Sequence, residues 1–177
     1  MRNATELMVQ YAAYHRDRRN IASHCVGVPL IVFALGVLLG WPVFILAGLP
    51  LTPSWLGWAL ATLWYLSRGS LVLGLAVSVV NALLVWLAMP LAAGSTATWL
   101  GWGLAAFVLG WLIQLLGHYY EGRRPAFLED RIGLLVGPMF VTAELLFALG
   151  WGKPMAAEIE RRAGPTVLYD LIQRAMH

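Results

Sequence analysis

The charged residues of this chain fall in a few short clusters, and the stretches between them are almost free of charge. The clusters lie before position 20, at Arg68, between 121 and 131, and after Lys153. A water-soluble helical protein needs charge along most of its surface helices. Here 12% of the 177 residues are charged and 60% are hydrophobic. A soluble bundle with an unusually apolar core is therefore set aside, because too many long segments have no side fit for water. The pattern predicts an all-α polytopic membrane helical bundle with about four to five membrane segments, one of them a candidate re-entrant segment.

The clusters divide the chain. Residues 1–20 predict a cytoplasmic N-terminal amphipathic segment, residues 21–151 the membrane helical bundle, and residues 152–177 a polar C-terminal tail. Within the first, 5–20 reads as one helix, with Leu7, Tyr11 and Tyr14 recurring at helical spacing. The first apolar run, 21–46, is too long for a signal peptide and lacks a cleavage site before a polar mature chain. It exceeds the roughly 20 residues that cross a hydrocarbon core, with Pro29 and Pro42 as points of bending or ending. The next run, 55–66, is short for a full span. Residues 71–89 and 99–116 are good spans. Asn81 in the former is expected to face other helices, and Gly101, Gly103 and Gly110 in the latter permit close helix approach. The run 132–151 carries Gly137-Pro138 and Glu144 and is the candidate re-entrant segment. Gly164-Pro165 is expected to divide the tail into two short helices lying on the membrane. Trp41, Trp55, Trp99, Trp102 and Trp151 stand at segment ends, where indoles favour the headgroup level.

Basic residues orient the bundle. If 55–66 is counted as a crossing, the N-terminus, Arg68 and the 123–131 loop share one side, which the positive-inside rule makes cytoplasmic. The turns near 50 and 94 have no basic residue and fall opposite. The C-terminal tail joins the basic side if 132–151 dips in and returns. A bacterial inner membrane or an endoplasmic-reticulum-like membrane, with the N-terminus cytoplasmic, fits this arrangement. The formal charge of +3 comes from basic residues that share their clusters with acids, and nothing suggests a nucleic-acid surface.

Histidine carries the candidate chemistry. His177 is terminal and is set aside. His15 and His24 flank the entry to the first span and His118 the exit of the fourth, so all three lie near one membrane face, and imidazole is a common ligand for iron, zinc or copper. On one straight helix His15 and His24 would point in opposite directions, so a shared site requires a bend between them. Asn20 shares a helix face with His24, and Glu121 with His118. Glu121 is placed to ligate a metal or to orient an imidazole. The alternative is that these histidines only bond headgroups or backbone. Cys25 is expected to fill core space rather than to join His24 as a ligand. Arg123 and Arg124 are candidates for holding a phosphate or carboxylate, or serve only as an orientation signal. No zincin pattern, phosphate loop or nucleophile elbow occurs.

Tyr11-Ala-Ala-Tyr-His15, Asn20 and His24-Cys-Val-Gly27-Val-Pro29, followed by Gln114-Leu-Leu-Gly117-His118-Tyr-Tyr-Glu121-Gly122-Arg-Arg-Pro125-Ala126, resemble the signatures of the Mpo1-like family of membrane 2-hydroxy fatty acid dioxygenases. Gly137-Pro138-Met-Phe140 and Glu144 also look like that family, so the resemblance runs from about 5 to 150. It implies Fe(II)-dependent cleavage of a 2-hydroxy fatty acid by dioxygen, giving a product one carbon shorter. It implies His15, His24 and His118 as metal ligands and catalytic residues, with Glu121 beside them. Asn20, Arg123 and Arg124 are expected to bind the substrate, which is the acid itself or another membrane lipid. A homo-oligomer is compatible with the sequence. Two other functions compete. A small transporter or channel would use Asn81 and Glu144 along its path, although the spans show no internal duplication. A non-catalytic lipid-binding or assembly protein would use the tryptophans and small residues for packing.

Overall fold

The computed structural model describes residues 2–46, 48–123 and 131–169. Among these residues seven helices and one small hairpin follow in the order α1 (Ala4–Ala12), α2 (Arg18–Leu38), β1 (Phe44–Leu46), β2 (Leu49–Leu51), α3 (Pro53–Leu66), α4 (Leu71–Ala92), α5 (Thr96–Glu121), α6 (Gly133–Ala148) and α7 (Lys153–Ala163). The all-α membrane architecture expected from the charge pattern is what the chain adopts. Among the described residues three helices, α2, α4 and α5, are long and apolar enough to cross a bilayer, and α6 with α7, bent by 118°, makes a fourth if the pair is counted as one span.

The predicted helix 5–20 is two elements. Asp17 accepts from the backbone N–H of Arg19 and caps α2, so the chain turns between α1 and α2. Such a cap satisfies a helix-end N–H that has no partner within the helix and contributes about 1 kcal/mol. The first span ends at Leu38 rather than 46. Beyond it Phe44–Leu46 pairs antiparallel with Leu49–Leu51.

α2 and α5 form the most extensive helix pair. They run antiparallel along a seam of small residues, in which Gly103, Gly110 and Gly117 recur every seventh position on α5. A Cβ on Gly27 would stand 2.8 Å from the Gly110 carbonyl oxygen, and one on Gly117 would overlap the Ser23 hydroxyl and come within 2.6 Å of Asn20 Oδ1. Lipid tails are as apolar as leucine, so packing this close is what holds membrane helices together. The seam brings the last turn of α5 against the first turns of α2.

α3 begins at the far end of α2, where the Ser54 N–H donates to the Leu39 carbonyl, and ends at the near face, where the Ala4 N–H donates to the Arg68 carbonyl. It therefore traverses the bundle with only 14 residues. α1 lies over its end, burying Leu7, Met8 and Ala12 against Tyr65, Leu73, Val77 and Phe140. α6 begins inside the bundle, with Leu134 beside Val32 and Leu35 of α2, and ends with Glu144 and Phe147 near Arg16. It stays helical through Pro138, so the Gly-Pro pair is not its break. The sharp bend comes at the left-handed Gly150 and Gly152. α7 then packs on α1, and the C-terminal segment returns to the N-terminal face. Beyond α7 the described residues are extended, not a second helix. Asn81 is buried as expected, whereas Cys25 is exposed on α2 instead of filling the core.

Candidate metal centre

The turn between α1 and α2 removes the geometric objection to a shared histidine site. His15 sits in that turn, His24 two turns into α2 and His118 in the last turn of α5. All three are buried, and one ring nitrogen from each lies within 4.8 Å of the others. Ring centroids stand 4.4 Å apart for His15 and His24, 5.0 Å for His15 and His118, and 4.9 Å for His24 and His118.

Hydrogen bonding assigns the ring protons on two of them. His15 Nδ1 lies 2.7 Å from the Tyr11 carbonyl and His24 Nδ1 lies 3.0 Å from the Asn20 carbonyl. A carbonyl only accepts, so each Nδ1 carries the hydrogen and each Nε2 of the neutral ring presents a lone pair. Those two Nε2 atoms face each other at 3.2 Å. Burial, with the neighbouring His24 and His118, holds His15 well below the usual imidazole range and hence neutral. On the third ring, His118 Nδ1 is buried without a hydrogen-bond partner among the described residues.

Glu121 does not join the cluster; it fastens the turn that carries His15. Its carboxylate accepts from the backbone N–H of Arg16 at 2.9 and 3.0 Å, from the Asp17 N–H at 2.8 Å and from Asn20 Nδ2 at 3.0 Å. Asn20 also donates to the Tyr14 carbonyl, and its Oδ1 is buried without a partner among the described residues. Arg123 donates to the Ala13 carbonyl and is exposed. Arg124 lies outside the described residues.

Two features had not been singled out in the sequence. The ring of Tyr11 stacks on His15 at 4.1 Å with planes 6° apart, and Phe140 closes the same side. A strap from the C-terminal segment holds the other side of the turn. Val167 donates to the Arg16 carbonyl and accepts from the Arg18 N–H, Arg16 Nη1 donates to the Gly164 carbonyl, and the Tyr169 N–H donates to Asp17. No motif announces such backbone pairing.

Burial by itself raises the Asp17 carboxyl, but hydrogen bonds from the Arg19 side chain and from the Tyr169 and Arg19 N–H groups outweigh it and hold it at about 2. The stabilisation is therefore fully present above the ordinary value of 3.8 and is lost as the pH falls toward 2. Asp17→Asn, which mimics the protonated form, should release the strap at neutral pH, seen as faster amide exchange at Val167 and Tyr169. Unchanged protection at both would show that the strap does not depend on this carboxylate.

An apolar cavity of about 300 Å³ opens from His24 and His118 and continues between α2, α5 and α6 as far as Leu35 and Phe107. The eleven-residue rise from His24 to Leu35 is roughly 16 Å, about half the thickness of a bilayer core. Among the described residues, α5 and α6 do not pack along one another, and α2 backs the gap between them.

The Mpo1-like family, described as 2-hydroxy-palmitic acid dioxygenase Mpo1-like, matches residues 1–149. The 2-hydroxy-palmitic acid dioxygenase MPO1 of Saccharomyces cerevisiae is 30% identical over 154 residues, covering 85% of this chain and 83% of the yeast protein. No solved structure matches the chain. With its histidine-bearing signatures inside the matched region, this membrane protein belongs to the Mpo1-like family.

Proposed function

We propose that this protein is an iron-dependent dioxygenase that cleaves a 2-hydroxy fatty acid to a product one carbon shorter. The observation that carries the reading is the convergence of three buried imidazoles at one end of an apolar cavity as deep as one bilayer leaflet. The donor set suits a divalent ion. Two nitrogens bound at about 2.1 Å to a common ion, with angles between octahedral and tetrahedral, stand roughly 3.0–3.4 Å apart, and the facing Nε2 atoms are 3.2 Å apart. Without a cation or a proton between them, two lone pairs at this distance repel. The partnerless nitrogen of His118 gives the same indication from α5. Three neutral imidazoles leave coordination positions open and favour iron, copper or zinc over magnesium or calcium. When bound, iron supplies the reaction with dioxygen that breaks the bond to the carboxyl carbon.

The protein's own part is placement. His15, His24 and His118 hold the ion, and Glu121 and Asn20 fix the turn that presents His15. The cavity takes the alkyl chain, keeping the reacting end beside the histidines and away from bulk water. Arginines near the histidine face and their absence from the far turns orient that face toward the cytoplasm. An acid drawn from the cytoplasmic leaflet would then enter between α5 and α6.

The test is metal analysis of detergent-purified protein prepared without oxygen, followed by removal and restoration of iron. We expect near-stoichiometric metal, and oxygen uptake on adding 2-hydroxypalmitic acid only when iron is restored. Folded protein that takes up no iron, or iron-loaded protein that consumes no oxygen with this acid, would overturn the reading. Zinc in the first preparation would not, since zinc competes for the same nitrogens.

A further inference from the structure

The cavity wall is apolar except near the histidines. Among the described residues that line it, the polar side chains besides His24, His118 and the indole of Trp111 are Tyr11 and Gln114. Gln114 lies one turn before His118 on α5, so both share a face. Gly27 makes room for it, since a Cβ there would stand 2.8 Å from Gln114 Cγ. The carboxamide has no hydrogen-bond partner among the described residues. Within a membrane span an unpaired amide is costly, so one lining a cavity is suited to a polar ligand. The Tyr11 hydroxyl is in the same position. The ring is fixed by its stack on His15, the hydroxyl sits 3.3 Å from where a Cβ of Gly137 would be, and no described group pairs with it.

We infer that the Tyr11 hydroxyl and the Gln114 carboxamide grip the carboxylate head of the fatty acid at the histidine end of the cavity. The inference rests on the proposed function for the identity of the acid. Both groups donate to an acceptor-only carboxylate, one from α1 and one from α5, and the alkyl chain then lies toward Leu35. This moves head-group recognition away from the positions the sequence suggested. Asn20 is engaged with Glu121 and Tyr14, Arg123 with Ala13, and neither lines the cavity.

The experiment uses full-length, iron-loaded protein in detergent without oxygen, so that binding is read without turnover. The probes are 2-hydroxypalmitic acid and the matching diol, which keeps the chain and lacks the carboxylate. Wild-type protein should prefer the acid. Gln114→Leu and Tyr11→Phe should each weaken acid binding on the order of tenfold or more, as expected for one lost hydrogen bond to a charged group, and leave diol binding unchanged. Gly137→Ala, which crowds the Tyr11 hydroxyl from α6, should act in the same direction as Tyr11→Phe. Metal affinity in the Gln114 and Tyr11 variants should match wild type, showing that the histidine cluster is intact. Wild-type acid affinity in both variants would overturn this assignment alone. A wild-type protein that does not bind the acid would overturn it together with the proposed function.

Discussion

His118→Ala is expected to abolish both metal retention and oxygen uptake while the protein stays inserted and folded. The expectation follows from what each histidine also does. His15 and His24 bond backbone carbonyls of their own segments, so their loss disturbs the turn and the start of α2 as well as the site. His118 also bonds the backbone, at Arg123, but it does so at the C-terminal end of α5, its Nδ1 has no partner among the described residues, and the glycines of its seam are untouched by the change. Loss of a direct ligand should exceed the roughly 10–100-fold effect typical of residues that only support one. The measurements are metal per protein after desalting, oxygen consumption with 2-hydroxypalmitic acid, and the thermal unfolding temperature in the same detergent. A well-folded variant that retains wild-type metal content would remove His118 from the ligand set.

The second large effect is expected at Glu121, 105 residues from the backbone N–H of Arg16 that it binds. Its carboxylate is buried and serves three donor groups. Glu121→Gln keeps the shape but turns an amide toward those donors. Each donor left unpaired in a buried place costs about 1–3 kcal/mol. We expect metal affinity to fall by about 10–100-fold through displacement of His15, with faster exchange of the Arg16 and Asp17 amide protons. The exchange measurement separates this role from direct ligation, because a lost ligand that did not hold the turn would leave those amides protected. Unchanged affinity with unchanged protection would show that the turn is held by the strap alone.

Much of this was legible in the sequence because membranes make composition informative. Charge-free runs located α2, α4 and α5, and the basic clusters placed the N-terminus and Arg68 on a common face, with the tail beside them if 132–151 turned back; the structure puts all three there. Convergence of the three histidines at one depth followed from counting crossings, including the short α3. What stayed hidden depends on contacts between distant residues. The bend between α1 and α2 requires Glu121 as much as Asp17, and no local propensity reports a partner a hundred residues away. The helical reading through 46 missed a hairpin that begins only after Pro42. Cys25 went wrong for a general reason: in a lipid-facing helix an exposed position is as apolar as a buried one, so residue type does not separate inside from outside. Tyr11 and Gln114 were visible as letters of a signature, but their place on a cavity wall comes from α6 packing on α1 and α2 while leaving a gap to α5.

The strap has a consequence for how the protein is made. Chains emerge N-terminus first at about 5–20 residues per second. His15 and His24 are therefore synthesised several seconds before the α5 end that carries His118 and Glu121, and the Val167 pairing comes last. Until then the turn has neither its carboxylate clamp nor its strap, and two imidazoles alone make a weak trap for an ion. Under the proposed function, metal capture would wait until Val167 has been made, and a chain stopped short of it would carry its histidines with the turn that presents them untied.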